Sequence, residues 1–488
     1  MTVMTSRFNS TCFNFRRSRL ALAVAAVLAL SACAHNIDAS KPDVEIPATW
    51  AEAAPAGVEL QRDWWRGFGS EELSGLIDQS LAGSPDLIIA AERVTQAEIA
   101  ARSAGASLFP LLTVSADTDS FRIKGGSTSQ SGSTSTPIAG WVKSESTSVA
   151  LSVNYEVDVW GRVAATTKSA NASLNASIYD LETVRLTLTT GVANAYFQIL
   201  ALRMQLQVAQ ENLAISEKLF AIVEARYRFG AASALDVSRQ RSTVLSQRAT
   251  ILPLQVQERQ TVSALAILLG RQPQALQVAA QSLDVLSIPE VSAGLPSTLI
   301  TRRPDVASVE AQLLAGSANV AAARAALLPT ISLTGAAGNS SAALLSLGSP
   351  AYSIGIAASI VQTLFDGNRL RLQVETNEST RRQLAESYRR TVYTALKEVD
   401  DALGNATRNR DQEQAQIEIK KEALRALSLS ELRYREGADD LNSLLDAQRT
   451  LFTADDKLTQ LKLLRLTGTT DVFKALGGGW DKSQVEAR

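Results

Sequence analysis

The 488 residues include one histidine, His35, and two cysteines, Cys12 and Cys33. No Ser/His/Asp set, glycine-rich phosphate loop or cluster of metal-ligating residues can be assembled from the sequence, so neither an enzyme nor a metal or cofactor site is expected. The one spacing that points to covalent chemistry is at the N-terminus. Arg16, Arg17 and Arg19 precede the apolar run Leu20 to Leu30, followed by Ser31-Ala32-Cys33. Eleven apolar residues are too few to span a bilayer as a helix. Leu30-Ser31-Ala32-Cys33 reads as a lipobox: 1–32 is a signal peptide, and Cys33 carries a covalent lipid as the mature N-terminus. An ordinary signal peptide with an incidental cysteine and a twin-arginine signal are the alternatives; the spacing of Cys33 from the apolar run favours the lipobox. Cys12 lies in the removed segment, so the mature chain has no internal disulfide. His35 sits beside the anchor, and the pair Asp400-Asp401 reads as solvated surface.

Formal net charge is −1 with scattered Lys and Arg, which gives no footprint for nucleic acid. The aromatic share of 5% suits long helices with narrow seams better than a thick core. Every seventh residue from Val192 is apolar: Val192, Ile199, Leu206, Leu213, Phe220, Tyr227. The interleaved set Leu188, Ala195, Leu202, Ala209, Ser216, Val223 is small or apolar, and together they predict a heptad seam. The seam ends at Arg226-Tyr227-Arg228-Phe229-Gly230. Its echo, Arg433-Tyr434-Arg435-Glu436-Gly437, lies 207 residues on. The small residues around Gly230 and Gly437 leave backbone exposed at a helix-hairpin tip, where a partner's helix tip can approach closely.

These two tips belong to two copies of one plan. After a lead-in over 33–83, which includes Trp64-Trp65 (read as packing), the first copy spans 84–270. It has a helix stopped at Pro110, a β-hairpin over 111–159 and a long helical hairpin with its tip near 230. Alternation at Leu112, Val114 and Ala116, and again from Val149 to Val159, marks two strands of about ten residues. The Gly/Ser/Thr-rich stretch Gly125–Thr136 between them reads as a loop tip. Pro253 predicts a kink or break in the descending helix. A linker over 271–302 leads to the second copy, 303–475, with its β-hairpin over 330–364 and its tip near 437. Residues 476–488 form a tail. Pro110 answers to Pro329 at an offset of 219.

Four strands cannot close a pore, because open edges in lipid leave backbone groups unpaired. Several chains must each contribute a sector: two give eight strands and a filled barrel, three give twelve and a lumen.

The chain resembles the TolC/OprM-type outer-membrane efflux factors, in the lipoprotein branch that serves multidrug transporters. The resemblance covers nearly the whole mature sequence. It is carried by Trp64-Trp65 with Ser84-Pro85-Asp86, and by Leu295-Pro296-Ser297-Thr298-Leu299-Ile300 leading into Arg302-Arg303-Pro304-Asp305-Val306. Ala323-Arg324-Ala325 before Pro329, the two Arg-Tyr-Arg-x-Gly turns and Ala475-Leu476-Gly477-Gly478-Gly479-Trp480 complete it. It implies a mainly α fold with a β-barrel sector: a homotrimer, internally duplicated, with four strands and a long helical-barrel segment per chain. It also implies a passive exit duct for drugs or other small molecules, joined to a periplasmic membrane-fusion adaptor and an inner-membrane RND-type pump.

By the same resemblance, Arg226, Gly230, Arg433 and Gly437 are the adaptor-docking tips, and Asp236, Tyr434 and Asp446 form the periplasmic gate. Asp439, followed by Asp440, stands where some relatives have a basic bridging residue two after the tip glycine. The two extra carboxylates would weaken that latch and make the tip more acidic. Ser443 stands where some have a second aspartate ring. Ala34, in place of an inner-membrane retention aspartate, agrees with lipid-anchored outer-membrane sorting of Cys33. Two other readings remain: a duct for type I protein secretion, and a lipid-anchored periplasmic coiled-coil scaffold. The lipobox disfavours the first, and the alternating segments 111–118 and 149–159 disfavour the second.

Overall fold

The computed structural model describes residues 41–52, 60–124, 128–131, 134–137, 140–290 and 293–482. The signal peptide, Cys33 and His35 lie outside them. In chain order the elements are α1 (Glu71–Gly83), α2 (Pro85–Ala106), β1 (Leu111–Lys124), β2 (Thr128–Ser131), β3 (Thr134–Pro137), β4 (Trp141–Glu156), α3 (Arg162–Arg228) and α4 (Ala234–Leu268). Then come α5 (Pro296–Arg302), α6 (Pro304–Ala325), β5 (Thr330–Ser341), β6 (Ala351–Val361), α7 (Arg369–Arg435) and α8 (Leu441–Ala475). The duplication is exact in helix length: α2 and α6 have 22 residues each, α3 and α7 have 67, and α4 and α8 have 35. At 1.5 Å per residue the 67-residue helices are each roughly 100 Å long. None of the described helices is long and apolar enough to cross a membrane.

The chain divides into two compact units. The first, built from 97–174 and 312–385, holds an antiparallel sheet in the order β1-β4-β5-β6. Alternation dictates its faces. Register sets Val114 opposite Leu151, Leu151 opposite Ala337, and Ala337 opposite Ile354. One face therefore collects Leu112, Val114, Val149, Leu151, Val153, Leu333, Ile354, Ile356 and Ile360. The other carries Thr113, Ser115, Ser152, Ser332, Thr334 and Ser359, where hydroxyls pair across strands at 2.7 Å, Thr113 with Ser152 and Ser332 with Ser359. Gly338 is required by packing, since a Cβ there would sit 2.8 Å from the Val149 carbonyl oxygen.

The strands exceed the expected ten residues, with 14 in β1 and 16 in β4. The stretch expected as a plain loop tip includes a further short pairing, Thr128–Ser131 with Thr134–Pro137. Gly161 and Gly367, both at positive φ, turn the chain from strand to helix. Asp158 then accepts from the N–H groups of Val163 and Ala164 at 3.0 and 2.7 Å, and Asp366 from that of Leu370 at 3.0 Å.

The second unit, 41–96, 175–311 and 386–488, holds three separate apolar clusters among the described residues, and two of them carry most of its buried side chains. In the larger, Trp64 stacks on Phe473 at 5.0 Å and Phe68 meets Phe197 at 5.0 Å. The paired tryptophans thus have a packing role. The smaller core joins α3, α7 and α8 near their tips through Leu219, Val223, Leu427, Tyr434, Leu444 and Leu451. The predicted seam is kept in part along α3. Leu188, Leu202, Ala209, Ser216 and Val223 are buried along its length, whereas the Val192 series begins buried and ends with Tyr227 47% exposed. Those members of the Leu188 set stay buried from Leu188 to Val223, so the core follows the seven-residue repeat along α3, and only the flanking Val192 stripe leaves it towards the tip. Pro253 lies inside a continuous α4, so the expected break is absent. It sits on an exposed face.

Close backbone approach recurs in both copies. A Cβ on Gly270 would lie 2.2 Å from the Gly83 carbonyl oxygen, and one on Gly477 would lie 2.0 Å from that of Arg302. Beside Gly477, the buried Arg303 pairs with Asp305 and Glu398, both at 2.7 Å, and donates to the Ala475 carbonyl at 3.1 Å.

Candidate functional site

Both tips are built by the same terminal geometry. In the first, the Ala231 N–H donates to the Arg226 carbonyl at 2.7 Å and the Gly230 N–H to that of Tyr227 at 3.0 Å. In the second, Ala438 donates to Arg433 at 2.8 Å and Gly437 to Tyr434 at 3.1 Å. This is the Schellman closure, which needs a left-handed residue after the helix. Gly230 and Gly437 supply it at φ 73° and 72°. A Cβ on Gly230 would touch nothing within 4 Å, so its own chain leaves the backbone open there.

The helices that leave the tips are capped by exchanged residue types. At α4, Ser233 caps and Asp236 reaches back: the carboxylate accepts from the Ser233 N–H at 2.8 Å and hydroxyl at 2.9 Å. At α8, Asp440 caps and its carboxylate accepts from the Ser443 N–H and hydroxyl, both at 2.9 Å. Those hydrogen bonds, from the Ser443 backbone first, hold the Asp440 carboxyl below the usual aspartate range.

One side chain joins the tips. Arg226, from the first, lies over the Tyr434 ring of the second at 4.5 Å and donates to the Tyr434 carbonyl. Tyr434 is only 4% exposed. Burial pushes its phenol up; the nearby Arg226 works against that and the Asp236 charge adds to it. Asp236 therefore lies in the electrostatic reach of Tyr434, while its hydrogen bonds are to Ser233. Arg433 turns the other way, to Asp439 at 3.4 Å. Asp446 is 74% exposed and 3.8 Å from Arg449. The tips are also tied by Arg239 donating to Asn442 at 3.0 Å and by Lys218 with Glu431 at 2.8 Å. Asp439 and Asp440, read from sequence as extra acidity, both have local partners.

In the other unit, the outer edges of β1 and β6 have no strand partner among the described residues. Ile354, Ile356 and Ile360 on β6 are more than two-thirds exposed. Such a sheet is a sector of something larger.

Residues 76–271 and 295–478 match the family Outer membrane efflux protein. The chain belongs to that family. It is 38% identical over 464 residues to the pyoverdine export outer membrane protein OpmQ of Pseudomonas aeruginosa, covering 94% of this chain and 97% of that one. To the probable efflux pump outer membrane protein TtgC of Pseudomonas putida it is 32% identical, covering 96% and 97%. Among solved structures it superposes on the outer-membrane channel OprN with a TM-score of 0.79 at 27% identity, covering 91% and 99%. As a member of the outer membrane efflux protein family, the chain is an efflux channel component with a TolC-like fold and not an enzyme.

Sequence reasoning located both tips of this efflux protein but missed three features. The exchange of caps was legible as Ser233-x-x-Asp236 against Asp440-x-x-Ser443. The Arg226–Tyr434 contact needed three dimensions, because 208 residues separate the pair. The third is a buried polar layer in which Ser216 receives Gln448 on its hydroxyl at 2.7 Å and Gln240 on its carbonyl at 3.0 Å. Ser216 was visible as the one serine in the heptad seam.

Proposed function

We propose that three copies assemble into an outer-membrane duct of a tripartite efflux pump, lipid-anchored at Cys33, through which small molecules pass passively. One observation supports this above the others: the four-stranded sheet carries a single apolar face and two open edges. Three such sheets supply twelve strands, enough to enclose a lumen with the apolar face in lipid and the hydroxyl face in water. The helical segments continue the passage into the periplasm. There the tips at Gly230 and Gly437 meet a membrane-fusion adaptor attached to an RND-type pump. Arg226 and Tyr434, with Asp236, latch the tips, and Asp446 lines the passage as a ring of carboxylates that favours cations. The relatives named for pyoverdine export and for efflux pumps carry different traffic, which suits a wide duct whose pump selects the cargo.

The mature protein is expected to run as a heat-modifiable trimer and to conduct across planar lipid bilayers. A monomer in detergent that gives no conductance would overturn the reading. Genomic adjacency to an adaptor and a proton-driven pump is the expected context.

A further inference from the structure

The sheet end remote from the starts of α3 and α7 carries a feature that a bare conduit does not need. Beyond the apolar band, the same outward face of the β1–β4 pair turns cationic. Register places Arg122 opposite Lys143 and Lys124 opposite Trp141, and by strand parity all four share the face of Val114 and Leu151. Lys124 lies 5.9 Å from the Trp141 ring, and Lys143 is paired with Glu145 on that face. Three cations thus stand against one carboxylate, with an exposed tryptophan among them.

On the neighbouring hairpin, nearer the apolar band, the β5–β6 loop exposes Leu344, Leu345 and Leu347, with Leu345 79% exposed. Leu345 also adopts φ 54°, a backbone conformation uncommon for a bulky side chain. The side of the sheet on which this loop lies is fixed by a hydrogen bond. The Thr147 hydroxyl, on the outward face, donates to the Ala343 carbonyl at 2.7 Å and meets Thr118 at 3.0 Å. The loop therefore starts on the apolar side, one step beyond the pairing of Val149 with Asn339. Tyr352, 79% exposed, closes the apolar face of β6 beside it as a belt residue does.

We propose that Arg122, Lys124 and Lys143 with Leu344, Leu345 and Leu347 form a binding site for a phosphorylated, multiply acylated lipid of the outer leaflet. The phosphates meet the cations and the acyl chains lie on the leucines. The occupant follows from the ordering along the strands: apolar face, then leucine loop, then cations, which is the order of acyl chain and anionic headgroup in a leaflet. It rests on the sheet crossing the outer membrane with its apolar face in lipid.

The test uses the full mature protein in detergent, titrated with lipid A, with dephosphorylated lipid A, with phosphatidylethanolamine and with inorganic phosphate. Binding is expected for lipid A alone. Since each Lys or Arg near an anionic surface contributes on the order of a fivefold factor, R122S/K124S/K143S should weaken it roughly a hundredfold. L344S/L345S/L347S should weaken it as well, and a fluorophore at L345C should be quenched by brominated acyl chains and shielded from iodide. Equal binding by the cation variant, equal binding of the dephosphorylated lipid, binding of inorganic phosphate alone, or cross-linking of L345C between copies would each overturn the proposal. Heat-modifiable migration and conductance, measured on every variant, report separately on the duct itself.

Discussion

The two tips have one backbone and two sets of duties. Both end in a Schellman turn on glycine, and both restart with a side-chain cap. Yet Arg226 crosses to the other tip, while its counterpart Arg433 stays with its own Asp439. Tyr434 is buried beneath Arg226, whereas its counterpart Tyr227 is 47% exposed. Duplication thus conserved the main-chain geometry, which glycine and capping enforce locally. Divergence of side chains turned two equivalent ends into a donor and a receiver. A symmetric arrangement would have two arginines crossing in opposite directions; here only Arg226 of the pair Arg226 and Arg433 crosses.

The largest effect is expected where the copies remain alike. Gly477→Ala places a Cβ 2.0 Å from the Arg302 carbonyl oxygen and Gly270→Ala places one 2.2 Å from that of Gly83. Each should cost roughly 3 kcal/mol or more by thermal unfolding, overpacking adding to a left-handed φ. Gly230→Ala, with nothing within 4 Å, should cost only about 1 kcal/mol. Equal losses at the two kinds of site would mean that the close approach contributes nothing.

Arg226 should separate the tips next. Arg226→Ala removes the cover over a buried ring and should cost about 2 kcal/mol. Arg433→Ala removes an exposed pair and should cost about 0.5 kcal/mol or less. Only the first should make cells leaky to large antibiotics, as should joint replacement of Asp236 and Tyr434. Unchanged permeability at normal expression in both would count against the latch.

These contrasts also separate what was legible in the chain from what was not. Strand faces followed from alternation at Leu112, Val114, Val149 and Leu151, because a two-residue period leaves no choice of face. The tips were legible because Arg-Tyr-Arg-x-Gly recurs. Of the kink or break expected at Pro253, the break is absent: a proline removes one hydrogen bond, and on an exposed face of a 35-residue helix that loss does not end the helix. Arg303 gave no sign that it is buried, since a guanidinium is tolerated inside only when partners distant in sequence, such as Glu398, arrive to pair it. The heptad count marked the right helix, but not that its Val192 stripe leaves the core before the tip, where Tyr227 is 47% exposed.

Asp446 offers a functional contrast with little effect on stability. Asp446→Ala removes an exposed carboxylate whose arginine neighbour is equally exposed, so the melting temperature should stay within about 1 °C. Cation preference in planar bilayers should fall. Unaltered selectivity would place the carboxylate outside the passage.

The smallest effect concerns the exchanged caps. A carboxylate whose folded pKa is lowered stabilises the fold above its unfolded value and loses that contribution as pH falls through the folded one. Asp440 is such a group, so protection of the first turn of α8 from hydrogen exchange should decline below about pH 4. An asparagine side chain in its place would still accept from the Ser443 N–H but cannot titrate, so Asp440→Asn should keep the cap at neutral pH and abolish the decline. Asp440→Ala should lose protection at both pH values. If the decline persists with asparagine in place, the Asp440 carboxylate is not the group through which acid loosens the second tip.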